Sequence, residues 1–244
     1  MARAFDNASS QYLIHTGVPV SSYPCTLACW AYLTDKEYAR VGISLGHSSD
    51  AAEEIQISFR GGAYQDIIAR KRNELVQLAS AGDPPINTWN HWAGTFDQSS
   101  IYAYLNGTPG AETSTSLDFP TLDTTVIGCH YLAGSASNYM SGSIAEAAIW
   151  TVVLTPAEIQ ILAAGYSPLL VRPQNLVAYW PLIRDTDDDI VGGYSMTPVN
   201  SPTVAAHPRV FYPGMPHVGY AAAAIAALRI PRHPAAYYGG PTVF

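Results

Sequence analysis

Glu54-Ile55-Gln56-Ile57-Ser58 sets a carboxylate, an amide and a hydroxyl at alternate positions of one extended run. In a strand, residues two apart share a face, so the three side chains point the same way. Glycoside hydrolysis uses that arrangement when two of the groups are acids flanking one glycosidic bond. Here Gln56 and Ser58 stand in the second and third positions, so a retaining pair cannot be assembled. No other catalytic set is legible. Serines are abundant, but no Gly-x-Ser-x-Gly elbow occurs. The histidines (His15, His47, His91, His130, His207, His217 and His233) lack metal-ligand spacing. His91, between Asn90 and Trp92, reads as a structural hydrogen-bonder, and no phosphate-cradling glycine loop precedes a helix. The expectation is a protein without catalytic residues.

Binding chemistry is better represented. Sugars are held by aromatic faces together with planar polar groups. Tyr102, Tyr104, Tyr131, Asn138 and Tyr139 fall at or near positions expected to be exposed, and they are the glycan-binding candidates. Tyrosine on the outer face of a strand is also ordinary sheet composition, and that reading stays open. Asp185-Thr186-Asp187-Asp188-Asp189 alternates acids like the start of a calcium loop. Its sixth position is Ile190 rather than Gly and no Glu follows at position twelve, so it reads as a solvated acidic turn.

The elements that must position these residues are strands. Thr26–Tyr32, Glu54–Phe59, Trp89–Phe96 and Ile101–Leu105 are rich in β-formers, and Asn106-Gly107 closes the last as a hairpin turn. Gly142–Val153 is a further strand. It runs into a helix of two to three turns, with Thr155 as N-cap, Pro156 at the first helical position, Glu158 completing a capping box and Gly165 at the C-terminal end. Short strands with one late helix indicate an antiparallel sandwich or jelly roll.

The chain divides near residue 166. Residues 1–166 carry 7 basic and 15 acidic side chains, whereas 167–244 carry 5 and 4, and eleven of the 18 prolines lie between Pro168 and Pro241. Proline at this density prevents long helices and central strands. The second part is therefore expected as an extended arm that lies on its own sandwich, a sister subunit or another protein. Arg70-Lys71-Arg72 sits in a net-acidic domain, and the net charge of −7 argues against nucleic acid. No apolar run reaches transmembrane length, and MARAFDNASS lacks the apolar core of a signal peptide. Cys25, Cys29 and Cys129 are an odd set with no export signal, which fits free buried thiols in a reducing compartment. Four residues along a strand put Cys25 and Cys29 roughly 13 Å apart, beyond disulfide reach.

Trp89-Asn90-His91-Trp92-Ala93-Gly94-Thr95-Phe96-Asp97 followed by Ile101–Gly107 resembles the central hairpin of laminin-G-like, concanavalin A-type domains. Phe5–Leu13 resembles their opening strand. Ile127-Gly128, Gly142–Trp150 and Leu154–Ile159 resemble their closing strand and helix. The resemblance covers residues 1–166 and implies an all-β fold, a two-sheet antiparallel jelly-roll sandwich with one short helix, followed by the extended proline-rich C-terminal arm (167–244). It also implies that Glu146 is a structural position. Some relatives are glycosidases, whose strand signature Glu54-Ile55-Gln56-Ile57-Ser58 does not complete. Others hold calcium at the sandwich rim, which makes Asp97, Asp118, Asp123 and Asn138 the Ca²⁺ candidates.

Gly165–Pro173, Asn175–Leu182 and Ala206–Val210 resemble an extension found in proteins of tailed phages and prophages. That implies a non-enzymatic virion component, a capsid decoration or a fibre module. It would be made in a host cytoplasm, be homo-oligomeric, and be anchored to other virion proteins through the arm. The alternatives are a lectin-like adhesion module for a host-surface glycan and, behind it, a glycoside hydrolase. No nucleic acid or membrane is expected as a partner.

Overall fold

Along Cys25–Leu33 every second side chain (Cys25, Leu27, Cys29, Ala31 and Leu33) enters the main core, while Ala28, Trp30 and Tyr32 face the other way. The same alternation sends Ile55, Ile57 and Phe59 inward and Glu54, Gln56 and Ser58 outward. Two sheets, each apolar on one side, bury those sides against one another.

The computed structural model describes residues 1–214 except 115, 117 and 184. In chain order the strands are β1 (Ala2–Phe5), β2 (Tyr12–Thr16), β3 (Cys25–Leu33), β4 (Arg40–Gly46), β5 (Glu53–Arg60) and β6 (Asp66–Asn73). They continue as β7 (Leu75–Ala81), β8 (Trp89–Phe96), β9 (Ser100–Leu105), β10 (Thr108–Pro109), β11 (Thr113–Ser114) and β12 (Thr124–Ile127). Next come β13 (His130–Leu132), β14 (Ser135–Ser137), β15 (Gly142–Trp150), the helix α1 (Pro156–Ala163) and a 3₁₀ turn (Pro168–Leu170). β16 (Leu176–Trp180), β17 (Thr197–Val199) and β18 (Thr203–Ala205) follow.

The first sheet has the order β10-β9-β8-β3-β15-β1-β18, with β11 on β9 and β16 on β15; the second has the order β17-β2-β12-β4-β5-β6-β7. All their strand pairs are antiparallel. The fold is thus the expected all-β two-sheet sandwich. The β13–β14 hairpin forms a separate ribbon. It lies against the outer face of the second sheet: Ala133 N–H donates to His47 at 2.9 Å, and a Cβ at Gly46 would meet the Tyr131 carbonyl at 2.3 Å.

The helix closes the outer face of the first sheet. Ile159 and Leu162 pack with Ala28, Ala93, Tyr104, Ala148 and Trp150 in a second apolar cluster. Thr155 Oγ1 accepts from Glu158 N–H at 3.3 Å, and Glu158 Oε2 accepts from Thr155 N–H at 2.8 Å. Thr155→Ala removes the hydroxyl half of this box, leaves the backbone half, and is expected to lower the unfolding free energy by about 1 kcal/mol, read as a shift in the urea midpoint.

The described part of the proline-rich segment lies on its own sandwich. β16 pairs with β15, β17 with β2 and β18 with β1, and Pro198 sits on an edge strand where a missing N–H is tolerated. The rest of the expected arm, residues 215–244, lies outside the described residues. Asp185–Asp189 is not a solvated turn throughout. Asp189 is buried, and its carboxylate accepts from the N–H groups of Tyr179, Val191, Gly192 and Tyr194 at 2.9–3.1 Å. Asp187 is buried against Arg3, which donates at 2.7 Å. Both acids fasten the later strands to the sandwich.

Candidate functional site

Glu54 has the orientation an acid catalyst on this face would need, but it is fully buried between the Arg70 guanidinium and the His130 ring, both within ion-pair distance. His130 arrives on β13, so the hairpin itself closes this part of the face. Arg70-Lys71-Arg72 is split by the same alternation. Arg70 serves Glu54, whereas Lys71 turns to the other side, where its ammonium donates to the Asp97 carbonyl at 2.8 Å and lies 4.3 Å from the Tyr23 ring centroid.

The calcium candidates do not converge. Asp97 is closed on its own turn, accepting from Ser99 and Ser100 N–H at 2.6 and 2.7 Å. Burial alone would raise its carboxyl, but these bonds and those from the serine hydroxyls hold it below its ordinary range. Asp118 accepts from Gln98 at 3.2 Å. Asp123 takes Ser48 N–H at 2.8 Å and its hydroxyl at 2.6 Å, while Asn138 is exposed on the hairpin. Among the described residues no three His, Cys, Asp or Glu side chains are grouped to hold a metal ion.

The glycan candidates separate into two places. Tyr102 and Tyr104 lie on β9, with ring centroids 6.4 Å apart, under the apolar cover of the first sheet. Tyr104, expected to be exposed, is 3% exposed because the chain after β15 folds back as α1 over this face. Tyr131 and Tyr139 are brought together, with Asn138 next to Tyr139 in the chain, by a residue that the structure adds, Tyr12 from β2. Its ring centroid is 6.5 Å from that of Tyr131 and 6.1 Å from that of Tyr139. The three rings are half-buried. Tyr139 is fixed at both ends: its hydroxyl donates to the Ala136 carbonyl at 3.1 Å, and its carbonyl accepts from Arg40 at 3.2 Å. Asn138, exposed and next to Tyr139 in the chain, has φ +51, the left-handed conformation that asparagine tolerates. Rings held by packing and backbone bonds form a preorganised apolar surface, as stacking on a sugar ring requires. Tyr12 had no signal in the sequence, because only the β2–β12–β4 pairing brings it beside a hairpin more than a hundred residues away.

Glu146 is the other unusual carboxylate. It occupies a β-bulge in β15 with φ +55, and its oxygens accept from the hydroxyls of Tyr179 and Tyr212, both at 2.5 Å. His207 Nε2 lies 3.2 Å from it. Three partners saturate the carboxylate and tie β16 and residues 207–212 to the bulge, in keeping with a structural role.

A sequence profile described as the concanavalin A-like lectin/glucanases superfamily matches residues 6–160. No curated protein matches the sequence. Among solved structures, a Bacteroides ovatus protein provisionally assigned to carbohydrate binding superposes with TM-score 0.61 at 16% identity, covering 83% of this chain and 61% of that one. The chain therefore spans about three fifths of that protein's length. The heptameric SAP-like pentraxin of Limulus polyphemus gives TM-score 0.53 at 14% identity over 66% of this chain and 79% of its own. The CBM40 of the Ruminococcus gnavus IT-sialidase, bound to α2,3-sialyllactose, gives TM-score 0.53 at 13% identity over 67% of this chain and 94% of its own. At these identities the likeness is one of fold.

Proposed function

The chain belongs to the concanavalin A-like lectin/glucanases superfamily, and we propose from that premise that it is a non-catalytic glycan-binding module. The observation that carries the reading is the Tyr12–Tyr131–Tyr139 cluster, with the exposed Asn138 next to Tyr139 in the chain. Rings of this kind stack on the C–H face of a pyranose, and the amide takes its hydroxyls. The Ruminococcus module and the Bacteroides protein, which share the fold, support binding over hydrolysis. So does Glu54, which is closed off between Arg70 and His130 with no second acid on the same face of its strand. The same relatives favour this reading over the virion component implied by residues 165–210.

The test is a glycan array followed by calorimetry on the full chain. Binding is expected for a subset of glycans, unaffected by EDTA, and weakened about tenfold or more by Tyr131→Ala or Tyr139→Ala, since truncating a central aromatic anchor costs about 2 kcal/mol or more. Absence of binding to every glycan, or unchanged affinity in both variants, would overturn the reading.

A further inference from the structure

The outer face of the first sheet is only partly covered. The helix and the 3₁₀ turn seal Ala28, Ala93, Tyr104, Ala148 and Trp150. Two strand positions further along, the cover stops. There Tyr32 on β3 and Trp89 on β8 are register partners, and Ser143 on β15 is the next residue in the row. The two rings meet edge to face, with centroids 5.7 Å apart and planes at 65°. They line an open cleft of about 280 Å³ whose remaining walls are Ser143, Ala205 and Ala206. We propose that this cleft is a second sugar site, on the sheet opposite the tyrosine cluster, and that it takes a neutral pyranose stacked on Tyr32 and Trp89.

The proposal rests on the glycan-binding reading and extends it to a separate surface. An edge-to-face pair presents two aromatic walls at an angle, which grips the apolar face of one ring. The volume suits one or two sugar rings, being at the lower limit of ordinary ligand pockets of about 300–1,000 Å³. The alanines of the outer wall leave the mouth open to the rest of an oligosaccharide. The aromatic surface continues two residues along the same strands, where Trp30 and His91 meet edge to face with centroids 5.5 Å apart. His91 is buried, and its Nδ1 has no hydrogen-bond partner among the described residues.

Charge selects the ligand class. Among the described residues no charged side chain lines the cleft. Glu146, which borders the Trp30–His91 stretch, already accepts from Tyr179 and Tyr212, and Arg3 on the neighbouring strand is paired with Asp187. Sialic or uronic acids would bring a carboxylate to a wall that offers no cation, so neutral glycans are favoured.

The experiment is calorimetry and tryptophan fluorescence on the full chain with neutral gluco-, galacto- and manno-oligosaccharides, and with sialyllactose. The expected result is that a neutral oligosaccharide shifts the tryptophan emission, with affinity reduced about tenfold or more in Trp89→Ala. Ala206→Trp, at an exposed position, fills the cleft without touching the core and is expected to abolish the same event. Tyr139→Ala leaves it intact. If a glycan binds, Tyr139→Ala abolishes it and neither Trp89→Ala nor Ala206→Trp changes it, the second cleft is overturned while the module's function stands. If no glycan binds, the functional reading itself fails. Sialyllactose binding that depends on Trp89 would overturn the assignment to neutral sugars.

Discussion

Asp187→Ala lowers the unfolding free energy by about 3–5 kcal/mol, because it leaves the Arg3 guanidinium buried without its counter-charge. The two side chains are each 6% exposed and lie 2.7 Å apart, joining the first strand to the segment that precedes β17. Burial pushes the Asp187 carboxyl above its ordinary range even though Arg3 draws it down. Desolvation therefore outweighs attraction, and the pair fixes position more than it adds stability. The double variant Arg3→Met/Asp187→Leu should accordingly recover most of the loss. Urea unfolding of the wild type, both single variants and the double variant reads the cycle directly. A single variant within about 1 kcal/mol of wild type would show that water reaches the guanidinium.

Acidification gives the second large effect. His91 is pushed down to about 3 by burial, from an ordinary value of 6.5. A histidine whose folded value is depressed binds its proton more readily in the unfolded chain, so its contribution is complete above pH 6.5 and is lost as pH falls towards 3. Each unit is worth about 1.4 kcal/mol, so about 3 kcal/mol disappears between pH 6.5 and 4. His207 has the opposite sign. Burial lowers it, but hydrogen bonds to Glu146 and to backbone carbonyls leave it raised. Its contribution is complete below 6.5 and fades as pH rises through its folded value. Stability measured against pH for wild type and His91→Gln should therefore diverge below pH 6.5 and run parallel above it. Superimposable profiles would refute the assignment.

Local signals in the sequence located the elements with strong short-range chemistry. Asn106-Gly107 turns as its residue types require, at φ +50 and +79, and Thr155-Pro156-Ala157-Glu158 starts α1 with its capping box. The strands through Trp30, Ile57, Trp92 and Tyr104 follow from alternation and β-forming side chains. β16, β17 and β18 were not legible, because nothing local marks them: they exist by pairing with β15, β2 and β1, up to some two hundred residues away. The Glu146 bulge was hidden for the same reason, since its partners Tyr179 and Tyr212 lie on those later segments. Of the candidate site, Tyr131, Asn138 and Tyr139 were visible as exposed-type residues in one stretch. Tyr12, Tyr32 and Trp89 gain meaning only through cross-strand neighbours, and Tyr104 lost its exposure to a helix more than fifty residues on.

The interior position of every cysteine has a practical consequence. Burial pushes the Cys25 thiol up to about 12 and raises Cys29 and Cys129 as well, so none offers a thiolate at neutral pH. A single cysteine introduced at Ser135 or at Thr203, exposed positions outside the two sites, would be the sole reactive thiol in the protein. Each face of the sandwich can thus carry a dye, a spin label or a surface tether in turn, with the native thiols left in place, and sugar arrival at the two faces can be followed separately.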